Sequence, residues 1–396
     1  MRDPRIEATL VDANNILVAS SDQRLGFDFF GSVVTLDELA DVSQKTVYLT
    51  GDISKFRGRE LAGAARILVI KELSHGYDDT RELVDLGRVP VTVGGVGVYY
   101  RRFFDDNYFQ RICSEHTFQE LTESVKPSKA HRTGIYLTPV KQQGDELHFR
   151  LLRCSTNLSG PTENFCASDQ RIVDALNHEA AMIFRDHVPL NHVLAQVYAN
   201  TPATDGHKQT KAKISAHADK TKDMPFSGIM AFCTFYDRLD KLSPLPDDAF
   251  DYGYKGKSGL TRLQFRLKEL ALKREGLLPA FSVTLYPGSV FFMPLSTNRL
   301  YTHEIQSSML NAEMLPTRLG YVVRCSKTEA VHKLGSTFLK LDGQLVAMEP
   351  PTPEGMVELR GLYAEENKTD AFIDYGDKFR FSMNEGDYKA PDQKRG

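Results

Sequence analysis

The stretch KISAHADKTKDMP, residues 213 to 225, places His217 two positions before Asp219 inside a short apolar segment. In a strand such a pair projects to one side, with Cα atoms about 6.5 to 7 Å apart, a workable bite for one metal ion. Imidazole plus carboxylate suits a borderline divalent metal, and one more His completes the facial set that leaves three positions open on Fe(II). From this chain's composition about 0.7 HxD triplets are expected by chance, so the triplet gains meaning only from its company. The bland reading is a hydrogen-bonded His beside a surface Asp. A third ligand stands downstream as His303 in YPGSVFFMPLSTNRLYTHEI, after a strand, a turn and a second strand that can carry the chain back toward the triplet.

Fifteen residues past His303 comes TRLGYVVRCS. As a strand it puts Arg318, Gly320, Val322 and Arg324 on one face and Leu319, Tyr321 and Val323 on the other. Two arginines on one face of an apolar strand must find anions or water, because a buried unpaired guanidinium is costly. They form either edge-strand salt bridges or a fork for a dicarboxylate.

The order His217, Asp219, then His303, then Arg318 and Arg324 as RxxxxxR resembles the Fe(II)/2-oxoglutarate-dependent oxygenases, and within them the AlkB-like branch. NHVLAQVYAN resembles that branch's Asn-x-Tyr strand, with Gln196 and Tyr198 in the two places, and Pro225 stands where the next strand begins. The likeness spans roughly residues 190 to 330, about a third of the chain. The chain departs from the pattern in Gln196 for Asn, in Gly320 for Asn, and in a longer stretch between the triplet and His303. The resemblance implies a double-stranded β-helix, or jelly roll, with iron on His217, Asp219 and His303. It further implies 2-oxoglutarate and dioxygen as co-substrates. Arg318 would take the distal carboxylate, Tyr198 and Gln196 would lie nearby, and Arg324 would stand beside them or serve as an alternative anchor. The activity implied is hydroxylation of a substrate C–H bond.

The elements that must position these residues are legible in outline. Residues 1 to about 130 alternate β-rich runs with polar, helix-like stretches, suggesting an N-terminal α/β accessory module. GIYLTPV and LHFRLLRC around KQQGDE read as a hairpin. SDQRIVDALNHEAAMIF reads as a helix, with Ser168 as N-cap and Ile172, Val173, Leu176, Ala180 and Ile183 at helical spacing. Six short β-branched or aromatic runs follow, as in an antiparallel sandwich or barrel. Residues 237 to 278 read as a basic insertion, TFLKLDGQLVAM as a late hairpin, and 346 to 396 as a C-terminal extension. The fold expected is α+β, mainly β, with a jelly-roll domain over 131–345. GGVGVYY at 94–100 lacks the third glycine of a dinucleotide fingerprint and carries no such site.

Composition narrows the function classes. The 396 residues carry a formal charge of -3, which gives no global attraction to nucleic acid or acidic membranes. Five widely spaced cysteines without a CxxC pair suit reduced thiols in the cytoplasm or nucleus. The N-terminus lacks an apolar signal region, and no run of about 18 apolar residues occurs.

Local basic residues keep a nucleic-acid substrate in view. Lys208, Lys211, Lys213, Lys220 and Lys222 flank the triplet, and Lys255, Lys257, Arg262, Arg266, Lys268, Lys273 and Arg274 follow in the insertion. On the face of the metal mouth they would suit phosphates and a methylated nucleobase turned out of its stack; otherwise they are a solvated rim. Arg153, Asn157, Thr162 and Asn164 around a Gly-Pro turn, with Asn298 and Tyr301, are candidate substrate contacts, or simply turn formers. A protein side chain or small metabolite is the alternative substrate. A jelly roll that binds without turnover is the alternative of another class, and the intact His, Asp and Arg set argues against it.

Overall fold

The computed structural model describes residues 6–21, 25–39, 41–58, 61–78, 81–122, 129–153, 158–306, 308–376 and 378–393, with only the backbone at 122 and 129–131. The chain is α+β and mainly β, with a jelly-roll core. The strands that build the core are β1 (Gly97–Tyr100), β2 (Lys129–Thr138), β3 (His192–Tyr198), β4 (Ile214–His217), β5 (Ile229–Asp237), β6 (Arg262–Leu267), β7 (Ala280–Thr284), β8 (Val290–Pro294), β9 (Tyr301–Gln306) and β10 (Thr317–Arg324). The two long helices are α1 (Ala167–Ile183) and α2 (Pro353–Lys368).

From β3 onward the chain moves back and forth between two sheets. The larger runs β2-β3-β10-β5-β8-β1, all antiparallel neighbours, and the smaller runs β4-β9-β6-β7. This interleaving sets β4 and β9, the strands that carry His217 and His303, side by side in the small sheet, with the arginine strand β10 at the centre of the large one.

Period-two alternation decides which side chains meet between the sheets. Ala195, Ala231, Cys233, Leu319, Tyr321 and Val323 lie on the outer face of the large sheet and pack on Ile172, Val173, Leu176, Ala180 and Ile183 of α1. The opposite face carries Met230, Phe232, Phe291 and Met293, which meet Leu263, Phe265 and Val283 of the small sheet. The α1 stripe is thus as expected, but the N-cap is Cys166, whose backbone N–H donates to Asp169 Oδ2 at 2.7 Å. Ser168 instead donates its hydroxyl to Glu115 Oε1.

The expected insertion needs a correction. Part of it, Asp248–Tyr254 with Ser243–Leu245 and Lys257–Ser258, forms a small three-stranded sheet, but Arg262–Leu267 is β6, an interior strand of the small sheet. Its alternation, Leu263, Phe265 and Leu267 buried against Arg262 and Arg266 exposed, is a strand's period and not a helix's. The KQQGDE hairpin forms, pairing Lys141–Gln143 with Glu146–Leu151 around Gly144 at φ 59°. It joins a separate five-stranded antiparallel sheet that also holds the 336–347 hairpin. Residues 15–84 contribute five parallel strands, two of whose connections contain a single 3-10 turn, with apolar clusters on both faces. GGVGVYY is the Gly94-Gly95 turn into β1, both glycines at positive φ. Among the described residues no helix is long and apolar enough to cross a membrane.

Behind the large sheet His116 is enclosed between two carboxylates, Nδ1 2.8 Å from Glu163 Oε2 and Nε2 2.7 Å from Asp169 Oδ2. Asp169 Oδ1 also accepts the Tyr321 hydroxyl, so the cluster ties α1 to β10. Burial opposes the imidazolium, but the two carboxylates outweigh it and raise the pKa to about 9. A histidine whose folded pKa lies above its unfolded value stabilises the fold below about pH 6.5 and loses that contribution as pH rises toward 9. Urea unfolding of the wild type should therefore weaken between pH 6.5 and 8.5 by up to about 3 kcal/mol relative to His116→Gln. Equal slopes in the two proteins would remove the imidazolium from this cluster.

Candidate active site

The small sheet brings the two histidines together directly. His217 and His303 are paired across β4 and β9, their ring centroids 4.5 Å apart. Asp219, just past the end of β4, turns its carboxylate between them: Oδ1 lies 3.6 Å from His217 Nε2 and 3.9 Å from His303 Nε2. All three residues offer a ligand atom within 4.8 Å of one another. Adjacent ligands of an octahedral ion with bonds near 2.1 Å lie about 3 Å apart, so small rotamer changes close the triad on a cation.

The protonation states suit a metal. His217 Nδ1–H donates to the Ser215 carbonyl at 2.9 Å, which fixes the ring and turns Nε2 toward Asp219. His303 is buried against Phe232 and Phe265, and burial pushes its pKa down to about 3, so the ring is the neutral, ligating form. Its Nδ1 is buried without a hydrogen-bond partner among the described residues. Burial alone would raise the Asp219 carboxyl. The Arg324 guanidinium and the two imidazoles instead hold it far below the ordinary carboxylate range.

Arg324 Nη2 donates to Asp219 Oδ2 at 2.6 Å, leaving Oδ1 to face the histidines. Arg324 is thus the partner of the Asp219 carboxylate and not an anchor for a second anion. Arg318 stands six residues along the same face, 5% exposed, its Cζ 4.0 Å from the centre of the Tyr198 ring. Its Nε and Nη2 are buried without hydrogen-bond partners among the described residues. A Cβ at Gly320 would come within 2.7 Å of Arg318 Nη1 and 3.2 Å of the Tyr198 ring, so the missing side chain is what lets the guanidinium lie along the strand. Tyr198 donates its hydroxyl to Gln196 Oε1 at 2.7 Å, which leaves the Gln196 amide N–H groups as donors toward the cavity.

These residues line one cavity of about 200 Å³, walled by Leu194, Phe232, Leu263, Leu285, Ile305 and Val322. The other sequence candidates lie elsewhere. Arg153 is buried, with Nη2 2.7 Å from Asp223 Oδ1 and Nη1 donating to the Phe379 carbonyl, so it ties the C-terminal segment to the chain. Thr162 is buried away from the cavity, and Asn164 Oδ1 accepts the Val140 N–H. Tyr301 donates to the Leu278 carbonyl. Asn157 lies outside the described residues.

Asn298 has a different task from the one expected. Its Oδ1 accepts the Asp219 N–H at 2.9 Å and its Nδ2 donates to the Asp219 carbonyl at 2.8 Å. From α2, Asn367 Oδ1 accepts the Ala218 N–H and Glu366 accepts the Thr221 N–H and hydroxyl. Lys268 is buried and donates to the Glu366 and Thr369 carbonyls, capping the C-terminus of α2. Sequence reasoning missed this support; the one available signal was the amphipathic stretch PEGMVELRGLYAEENK, which buries Leu359 and Tyr363.

No protein-family model and no curated protein matches the sequence. Three solved structures align with part of the chain. OsALKBH1 is 10% identical at a TM-score of 0.35, over 60% of this chain and 99% of that one. SnoN, a non-heme alpha-ketoglutarate-dependent epimerase from nogalamycin biosynthesis, is 12% identical at 0.27, over 56% and 72%. A bsmA homolog from Methylobium petroleophilum is 12% identical at 0.27, over 55% and 77%.

Removing the Asn298 amide should loosen Asp219 without touching a ligand. Asn298→Ala is expected to retain its circular dichroism while binding Fe(II) or Co(II) about 10- to 100-fold more weakly under anaerobic titration. Wild-type affinity would mean that the Asp219 backbone holds its place without it.

Proposed function

We propose that this protein is an Fe(II)/2-oxoglutarate-dependent oxygenase that hydroxylates a C–H bond. The observation that carries the reading is the co-location, in one cavity, of a facial His217, Asp219 and His303 set with the buried guanidinium of Arg318, whose Nε and Nη2 have no hydrogen-bond partner among the described residues. Two imidazoles and an ionised carboxylate fit Fe(II), and a buried arginine fork fits the distal carboxylate of 2-oxoglutarate. With 2-oxoglutarate and dioxygen, Fe(II) so held supplies the oxidising power for hydroxylation.

The chain's own residues do the rest. Arg318 binds the distal carboxylate, the Tyr198 ring face holds the guanidinium level, and Gly320 leaves it room. Gln196 offers amide donors beside it. Arg324 keeps Asp219 ionised and aimed, while Phe232, Leu263 and Leu285 exclude water from the reacting centre.

A methyl group of a modified nucleobase in DNA or RNA is one substrate reading. The cations expected to form its phosphate track are scattered, however. Lys222 and Lys268 are buried, Arg274 is paired with Asp370, and Arg262 and Arg266 point away from the cavity, alternating with Phe265 that packs on His303. That dispersion favours the alternative, a smaller substrate enclosed by the cavity itself.

Anaerobic addition of Fe(II) and 2-oxoglutarate should produce a weak visible charge-transfer band that His217→Ala and Asp219→Ala abolish. No band, together with no succinate from any substrate, would sink the enzyme reading. Gly320→Ala should bind Fe(II) normally but 2-oxoglutarate at least about tenfold more weakly, because its Cβ displaces Arg318. Methylated oligonucleotides provide the substrate test: turnover on them must fall steeply with rising salt, and salt-insensitive turnover on a small molecule rejects the nucleobase reading.

A further inference from the structure

The cavity contains a third guanidinium, which the oxygenase reading does not use. Arg132 lies on β2 directly opposite Tyr198 of β3, which in turn lies opposite Arg318 of β10. Residues opposite one another in a sheet share a face, so Arg132, Tyr198 and Arg318 form one row across three strands, all lining the cavity. At about 4.8 Å between strands, the two arginine Cα atoms are about 10 Å apart, with the Tyr198 ring between them. Arg132 Nε is buried without a hydrogen-bond partner among the described residues. Leaving a buried donor of a charged group unmade is costly, so the site is built for an acceptor that arrives from outside.

The charge balance of the cavity points the same way. Its lining carries four cationic side chains, Arg132, Lys220, Arg318 and Arg324, against the single carboxylate of Asp219. Fe(II) and the 2-oxoglutarate dianion cancel each other, so three positive charges remain uncompensated when both are bound. Arg324 is committed to Asp219 and Arg318 to the co-substrate, which leaves Arg132 and Lys220. Lys220 stands next to Asp219 with its ammonium 4.9 Å over the Tyr363 ring, at the opposite side of the cavity from the arginine row.

We propose that the primary substrate carries an anionic group, a carboxylate or a phosphate, that is received by Arg132 with Lys220 contributing from across the cavity. The inference rests on the oxygenase reading, because the co-substrate is what occupies Arg318. Arg132 is then a specificity-determining residue: it selects an anionic substrate and sets which of its C–H bonds faces the metal. A free metabolite and a nucleotide both supply the required chemistry.

The test uses the full chain, loaded anaerobically with Fe(II) and saturating 2-oxoglutarate. Acetate, inorganic phosphate, a 5′-mononucleotide and a short oligonucleotide are titrated separately, reading the visible charge-transfer band and calorimetric heat. At least one anion should bind the loaded protein and shift the band. Arg132→Gln should weaken that anion about tenfold or more while changing 2-oxoglutarate affinity less than about twofold, and Arg132→Lys should restore part of the loss. Lys220→Gln should weaken the same anion and serves as the second variant if Arg132→Gln does not fold. Binding by acetate or phosphate alone identifies a small anionic substrate, and binding only by the nucleotide probes identifies a nucleic-acid one. The proposal is overturned if no anion binds the loaded protein, if both variants bind it like wild type, or if Arg132→Gln weakens 2-oxoglutarate instead. Retention of wild-type 2-oxoglutarate affinity by Arg318→Gln would overturn the oxygenase reading itself, a separate result.

Discussion

The Arg324–Asp219 ion pair is the interaction on which the site depends. A carboxylate buried beside two aromatic-packed imidazoles would take a proton and stop being a ligand unless a fixed cation held it ionised. Arg324 does this from the central strand of the opposite sheet, so the pair also joins the two sheets at the metal end of the barrel. Removing one partner of such a pair typically costs about 3 to 5 kcal/mol, because the other charge is left buried and unpaired. β10 lies between β3 and β5, and the strand face that aims Arg324 at Asp219 also carries Arg318 into the cavity.

A second buried charge network lies four residues further along the loop. Asp223 accepts from the Arg153 guanidinium and backbone and from the Thr328 hydroxyl, with the Lys222 ammonium 3.3 Å away. Through the Phe379 carbonyl the network reaches the C-terminal segment, whose Ile373, Tyr375, Phe379 and Phe381 pack into the same cluster as the small sheet. The loop from Ala218 to Asp223 is therefore held at both ends by residues 70 or more positions away in sequence. A metal loop fixed in this manner meets the condition that ligands be pre-organised before the ion arrives.

The electrostatic asymmetry of the cavity has a structural origin. Three cations project from the large sheet, where period-two alternation leaves every second residue of β2 and β10 facing inward, and the lone carboxylate projects from the small sheet. The cavity is therefore net positive among apolar side chains such as Leu194, Leu263, Ile305 and Val322, a pairing that suits an amphiphilic ligand better than a neutral one.

The sequence by itself determined the local patterns: strand alternation in GIMAFCTFY and TRLGYVVRCS, the α1 stripe, and the candidate set His217, Asp219 and His303 with Arg318, which the fold brings into one cavity. These are legible because facing direction in a strand or helix depends only on the backbone period. It could not separate the two arginines by task, because which of them meets Asp219 depends on how the two sheets stack. Nor could it sort Lys222, Lys268 and Arg153 from surface cations, since their buried partners lie on distant segments. Asn298, expected at the substrate, holds the Asp219 backbone instead, and Arg262–Leu267, expected in an insertion, is a strand of the site. Those assignments were decided only by the tertiary structure, because hydrogen-bond partners and burial are properties of neighbours in space and not of neighbours in the chain.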